Sequence, residues 1–212
     1  DIFFFRLGEM VGLKILREAA IRLGFGQKTG IDLPGESFGL VPDEVWKQST
    51  LGDNWFLGDT MHMAIGQGFV LSTPLQVNNL TNIIANGGKL YKPYLVSALS
   101  KNNSEEILIF GSSAKTVVDD GILSVVRDGM RKACESGGTA WPFFDSTYKV
   151  GCKTGTAEKL QGKAHAWFTI FAPYESPQIA ITVIIEDGGE GSSVAAPVAK
   201  EILDWWVENN IK

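Results

Sequence analysis

The chain has 212 residues, 44% of them hydrophobic and 20% charged, with a formal net charge of −5. That is enough apolar material for a real core in one good-sized domain or two small ones, and a mild negative charge without a basic stripe argues against a nucleic-acid partner. No apolar run reaches the about 18 residues that a membrane span needs, and two cysteines and two histidines without ligand spacing predict no disulfide framework, no metal and no cofactor.

The chain opens at Asp1 without a methionine, on the run Ile2-Phe3-Phe4-Phe5, as a piece excised from a longer protein would. Residues 8–23 space Leu13, Leu16, Ala20 and Leu23 at helical intervals, and Gly24 and Gly26 end that helix. Residues 24–60 are rich in Gly, Pro and Asp and predict a long irregular segment, ordered around Trp46 and Trp55. Gly66 and Gly68 predict a tight turn or a cleft lining, with no phosphate-cradling fingerprint. Thr73 then caps a helix that starts at Pro74 and runs through Val77, Leu80 and Ile84 to Gly87-Gly88. Residues 94–99 and 106–110 read as two short strands joined by a turn at Lys101-Asn102-Asn103. Thr116 and Asp119 have the spacing of a capping box. The helix after them is expected to bury Val118, Ile122, Val125, Val126 and Met130, and Gly137-Gly138-Thr139 stops it.

The last third predicts an antiparallel meander, because its turns are short. Its strands fall at residues 148–157, 164–172 and 178–186, the last apolar on both parities and so covered on both faces. A loop at 187–193 leads into a closing helix whose Ala195, Val198, Ile202 and Trp205 are expected to face the sheet. Cys134 and Cys152 read most simply as two small buried residues, with a single bridge between them left open.

The chemistry centres on Lys153-Thr154-Gly155-Thr156 in the first strand of the meander. An ammonium, two hydroxyls and a bare stretch of main chain at an exposed strand edge suit the grip of a carboxylate-ended peptide. His165 could act as a base, but a polar or packing role is favoured. His62 reads as loop structure. Trp55 and Trp167 fit a cleft lining or a core equally well.

Taken as an ordered set, the motifs resemble the transpeptidase domain of class B penicillin-binding proteins. They are Thr29-Gly-Ile-Asp-Leu-Pro-Gly-Glu36, Gly58-Asp-Thr60, Ile65-Gly-Gln-Gly68, Thr73-Pro-Leu-Gln76, Lys153-Thr-Gly-Thr-Ala-Glu158, His165-Ala-Trp-Phe168 and Ala195-Ala-Pro-Val198. The Gly58 to Gly68 and Thr73 to Gln76 groups look most like the elongation-type subgroup.

The resemblance implies an α/β (α+β) fold, an antiparallel sheet flanked by helices, with residues 1–212 as its C-terminal part. It implies acyl transfer through a serine ester: attack on a D-Ala–D-Ala amide, release of D-Ala, and transfer to an amine of a neighbouring peptidoglycan stem, with β-lactams as mimics of the donor. Lys153 would supply positive charge, Thr154 and Thr156 contacts to substrate and an oxyanion-binding N–H, and Gly155 an unobstructed approach. Asp1 looks like the last residue of a Ser-x-Asp motif. The Ser-x-x-Lys nucleophile motif has no suitable counterpart: Ser112 to Lys115 fits the letters but does not open a helix.

The implied partners are stem peptides, β-lactams, the missing N-terminal part of the domain and a glycosyltransferase, with no nucleic acid. The implied location is the outer face of the bacterial cytoplasmic membrane, on a parent protein anchored elsewhere. A β-lactam-sensing receptor domain would share the fold, and a serine β-lactamase would need a deacylating water and its base, which nothing in the chain provides. The 212 residues alone are expected to escape acylation and to leave a raw sheet edge.

Overall fold

The computed structural model describes residues 1–101, 104–109 and 113–210. The chain forms two units: residues 1–76 with 89–117, and residues 77–88 with 118–212.

In the first unit, α1 (Ile2–Arg22) starts earlier than the periodicity suggested and takes in the phenylalanine run. It breaks its regularity at Gly12, whose φ of 80° only glycine adopts cheaply. Its approach to α3 (Leu57–Ala64) passes through Gly8, where a Cβ would stand 2.6 Å from the Ala64 Cβ.

The expectation of one irregular segment over residues 24–60 is corrected. It contains α2 (Glu44–Leu51) and the start of α3, each only eight residues long. Their shortness hides the helical period, and their caps carry them. Asp43 accepts the Trp46 N–H at 2.8 Å, and Asp59 accepts the Phe56 N–H at 2.8 Å. Lys47 is buried between the two helices, bonded to Asp59 at 2.7 Å and 3.3 Å from Asp53, with its ammonium over the Phe56 and Phe69 rings. Burial is the largest single influence on Asp59 and would raise its pKa, but the bonds from Lys47 and the Phe56 N–H, with the Lys47 charge, together outweigh it, so the carboxyl sits below its ordinary range. His62, expected in a loop, lies in α3.

The Thr29 to Glu36 turn is closed from within, since Glu36 accepts the N–H groups of Thr29 and Gly30 at 2.7 and 3.0 Å and also the Thr29 hydroxyl. Asp32 accepts the N–H groups of Leu95 and Val96 at 2.8 and 2.9 Å.

The division between the units falls within α4 (Pro74–Ala85), which begins at the residue the sequence indicated. Thr73 and Gln76 bond reciprocally as a capping box. The Gln76 amide also donates to Gln27 O and Phe38 O, at 2.9 and 2.8 Å, and so ties down the loop before α2.

Two small antiparallel pairs follow in chain order. The strands β1 (Lys89–Tyr91) and β4 (Ala114–Thr116) pair, as do β2 (Ala98–Lys101) and β3 (Ser104–Ile109). The second hairpin is shifted a few residues from its predicted limits, and Asn102, Asn103, Phe110 and Ser112 lie outside the described residues.

The second unit is the meander: β5 (Gly151–Ala157), β6 (His165–Ala172) and β7 (Ile179–Ile185), antiparallel in the order β5-β6-β7. Among the described residues β5 and β7 are both edges. Ala166, Phe168 and Ile170 of β6 are buried with Val150, Cys152, Ala196, Ala199 and Leu203. On the opposite parity Thr169 bonds Thr81 of α4 at 2.6 Å and Thr182 at 2.8 Å, a short hydroxyl ladder that Asn78 extends by donating to Thr182 at 3.3 Å.

Both helix-face expectations here are corrected. Helix α5 (Asp120–Ala133) is capped by Asp119 alone and buries Leu123 and Met130, while Ile122 and Val125 are 63% and 76% exposed. Helix α6 (Ala196–Asn210) buries Ala196, Ala199 and Leu203; of the expected face only Ala195, just before the helix, is buried, and Val198, Ile202 and Trp205 face outward. The expected loop before α6 contains a π-helical turn, Gly191–Ala195.

Candidate active site

Cross-strand packing sets the candidate strand. In β5, Lys153 pairs with Thr169, Thr154 with Phe168, Gly155 with Trp167 and Thr156 with Ala166. Alternation puts Cys152, Thr154 and Thr156 on one face and Lys153 and Gly155 on the other.

The two faces meet at the rim through Lys153. Its side chain folds along the strand edge so that Nζ donates to the Thr154 carbonyl at 2.5 Å. Among the described residues it has no ion-pair partner. The side chain counts as exposed by surface area, yet the protein around its ammonium withholds enough water to hold its pKa below the ordinary lysine value. An under-solvated cation without a counter-ion is a place for an anion.

Gly155 has an internal reason as well as the expected external one. A Cβ there would stand 3.0 Å from the Trp167 Cβ, and the Gly191 turn comes closer still: a Cβ on Gly191 would be 2.4 Å from Gly155 O. The turn behind the sheet therefore demands glycine at Gly191, whereas a side chain at Gly155 would need Trp167 to give by a few tenths of an ångström.

On the other face the half-buried Thr154 hydroxyl lies 3.0 Å from that of Thr139, just beyond the end of α5. Sequence reasoning took Gly137-Gly138-Thr139 only as a helix stop and missed this neighbour. Cys134, the C-cap of α5, is disulfide-bonded to Cys152, with Cα atoms 5.9 Å apart. The bridge left open by the sequence is thus made, and it fastens the end of α5 to the strand one residue before Lys153.

His165 takes the polar role. Its Nδ1 accepts the Asp187 N–H at 3.1 Å, in a turn where Asp187 has a φ of 54° and pairs with Lys159. Trp55 donates its indole N–H to Thr60 at 2.8 Å within the first unit. Trp167 stands half-buried opposite Gly155. Asp1 belongs to the first unit, where it is exposed and precedes α1 without a side-chain capping bond. A groove of about 570 Å³ in that unit is lined by Glu44, Val45, Gln48, Ser49, Asn54 and Trp55, so Trp55 lines a cleft, but one that contains neither Asp1 nor any residue of the Lys153 to Thr156 run. No cluster of potential metal ligands occurs among the described residues.

Residues 1–204 match the penicillin binding protein transpeptidase domain. The chain is 32% identical over 235 residues to the peptidoglycan D,D-transpeptidase MrdA of Haemophilus influenzae, an alignment that covers 100% of this chain and 35% of that protein. It therefore spans about a third of the length of the curated relatives it matches. The structure superposes on the penicillin-binding protein PBP2 of Helicobacter pylori, solved in complex with MreC, at a TM-score of 0.85 and 35% identity, covering 100% of this chain and 39% of that one. It superposes on Pseudomonas aeruginosa PBP2, solved in complex with WCK 5153, at a TM-score of 0.83 and 34% identity, covering 98% and 47%.

Proposed function

The chain belongs to the penicillin-binding protein transpeptidase domain family, and from that premise we propose that residues 1–212 are the C-terminal part of a peptidoglycan D,D-transpeptidase of the elongation type. The carrying observation is Lys153: an ammonium on an edge strand, short of water and without a carboxylate partner among the described residues, against the Thr154 main chain. The α-carboxylate of a D-Ala–D-Ala stem peptide is the anion that fits this reaction. Fixed positive charge in a poorly hydrated site stabilises negative charge more than the same charge in bulk water does.

In this proposal the nucleophilic serine is supplied by residues outside the chain. The serine attacks the penultimate D-Ala carbonyl, the C–N bond breaks, D-Ala leaves with a proton, and an amine of a second stem then displaces the serine ester. Lys153 holds the donor's terminal carboxylate beside the reacting bond. The Thr154 hydroxyl bonds that carboxylate, and the main chain from Gly155 to Thr156 runs alongside the donor peptide and faces the oxyanion. The role assigned to Asp1, in the hydrogen-bond network of the serine, rests on its motif alone.

β-Lactams enter the same site because they carry a carboxylate next to a strained amide. The expected partners are stem peptides, a glycosyltransferase and, by likeness to the Helicobacter pylori complex, an MreC-type protein. The location proposed is the outer face of the cytoplasmic membrane, through an anchor outside these residues, since no helix among the described residues is long and apolar enough to cross a membrane.

The test is acylation by a fluorescent penicillin. The full-length protein should be labelled stoichiometrically on serine, and Lys153→Ala should slow labelling about 100-fold or more, the scale of losing one preorganised electrostatic contact. Residues 1–212 alone should take up no label. Unchanged labelling of Lys153→Ala would reject the assignment.

A further inference from the structure

We propose that Thr139 is a positioning residue for the donor carboxylate, acting through Thr154. The inference rests on the transpeptidase reading and adds a residue to it.

The two hydroxyl oxygens are 3.0 Å apart, and either could donate. Each hydroxyl has one proton and two lone pairs, whereas a carboxylate only accepts. For Thr154 to donate to the substrate, its own proton must point outward, and the bond between the threonines must then be made by the Thr139 proton. Thr139 as donor therefore selects the one orientation of the Thr154 hydroxyl that recognises an anion. A chain of two such bonds polarises in the same sense, which strengthens the outer one.

The placement of Thr139 is fixed independently of any ligand. Its turn is closed by Gly138 N–H on Glu135 O at 2.8 Å and by Ala140 N–H on Ala133 O at 2.9 Å. Gly138 fits only as glycine, because a Cβ would be 2.4 Å from the carbonyl oxygens of both Lys132 and Ala133. Ala140, the next residue, is completely buried. The Cys134–Cys152 disulfide joins this turn to β5 two residues before Thr154, on the same strand face. The hydroxyl of Thr139 is thus held over Thr154 by backbone, core and covalent bond, which is more constraint than a solvent-exposed threonine needs.

The experiment compares the full-length protein with its Thr139→Val and Thr139→Ser variants against two probes, a fluorescent penicillin with a free carboxylate and the methyl ester of the same penicillin. Thr139→Val keeps the shape and removes the donor. It should lower the acylation rate constant for the free acid up to about tenfold, the upper end of what one neutral hydrogen bond is worth, and leave that for the ester within about twofold. Thr139→Ser should restore the acid rate. Equal rates for Thr139→Val and the parent on the acid overturn the proposal, and so does an equal loss on acid and ester, which would mark a purely structural role. A parent protein that takes no label from the acid overturns the transpeptidase reading itself, whereas a labelled parent with an indifferent Thr139→Val overturns only the role of Thr139.

Discussion

Under the proposed function, Lys153 and Thr154 would divide one recognition task between charge and direction. The ammonium would attract the donor's carboxylate, and the hydroxyl would fix where its oxygen sits. The charge has a pH signature. Desolvation holds the Lys153 pKa below its ordinary value, so its positive charge disappears at a lower pH than that of a solvated lysine, whose pKa is about 10.4. Acylation by a carboxylate-bearing penicillin should therefore fall as pH rises through the depressed value, and Lys153→Arg, which stays charged, should flatten that limb. A pH profile of acylation in the full-length protein measures this, and an identical alkaline limb in Lys153→Arg would refute it. The Lys153 to Thr156 run was legible in the sequence because its residue types announce their chemistry. Thr139 was not. A threonine after two glycines at a helix end signals a stop, and only the tertiary closure of its turn shows it to be a neighbour of Thr154.

Among the elements, the strands of the meander were readable and the helix faces were not, for a physical reason. From the end of the π-helical turn through α6 two rows of apolar residues run side by side: Ala195, Val198, Ile202 and Trp205, and, one position on, Ala196, Ala199, Leu203 and Trp206. Both have helical spacing, so periodicity cannot choose between them. Size does, because Ala196 and Ala199 let the helix lie close against the sheet, and both are completely buried. In α5 the choice turned on Arg127, whose charge would ordinarily send it outward. It points inward because its guanidinium finds Ala85 O at 2.8 Å and Tyr174 O at 2.5 Å and stacks over the Phe171 and Tyr174 rings. With Arg127 inside, Ile122 and Val125 are carried out. The α6 assignment has a direct consequence. Leu203→Ala should cost about 2–5 kcal/mol through the cavity it leaves, and Ile202→Ser within about 0.5 kcal/mol, as a surface change does. Denaturant midpoints of the two variants decide between the rows, and a larger loss for Ile202→Ser would reverse the assignment.

At the scale of the molecule, the two units share a mode of electrostatic stabilisation although their architectures differ. In the first, Asp32, Glu36 and Asp59 all have carboxyl groups below their ordinary range. Backbone N–H bonds from Val96 and Leu95 lower Asp32. In Glu36 and Asp59 burial is the largest influence and works the other way, and it is overcome by several bonds together, from Thr29 and Gly30 in Glu36 and from Lys47 and the Phe56 N–H in Asp59. In the second, Asp128 is lowered by Lys132 and Arg131, Asp187 by Lys159, and Asp204 by Lys200 and Tyr148 against an opposing burial effect. A carboxyl whose pKa is depressed on folding stabilises the fold above its unfolded pKa of about 4, and that stabilisation disappears as pH falls through the folded value. Among the described residues each unit holds three such groups, so the loss of stability in acid should reach both and set in as pH falls from about 5 through the folded values. Several of these carboxylates are exposed and screened, so each contributes little alone, and the effect belongs to the set. Melting followed by circular dichroism should give a temperature that is flat from about pH 5 to 8 and falls below that range. Asp59→Asn should remove part of the acid limb together with part of the neutral-pH stability, because Lys47 then stays buried with only Asp53 to pair with at 3.3 Å. A melting temperature that rises on acidification would mean that these carboxylates are held at a net cost, and would contradict the bonding that places Lys47 between α2 and α3.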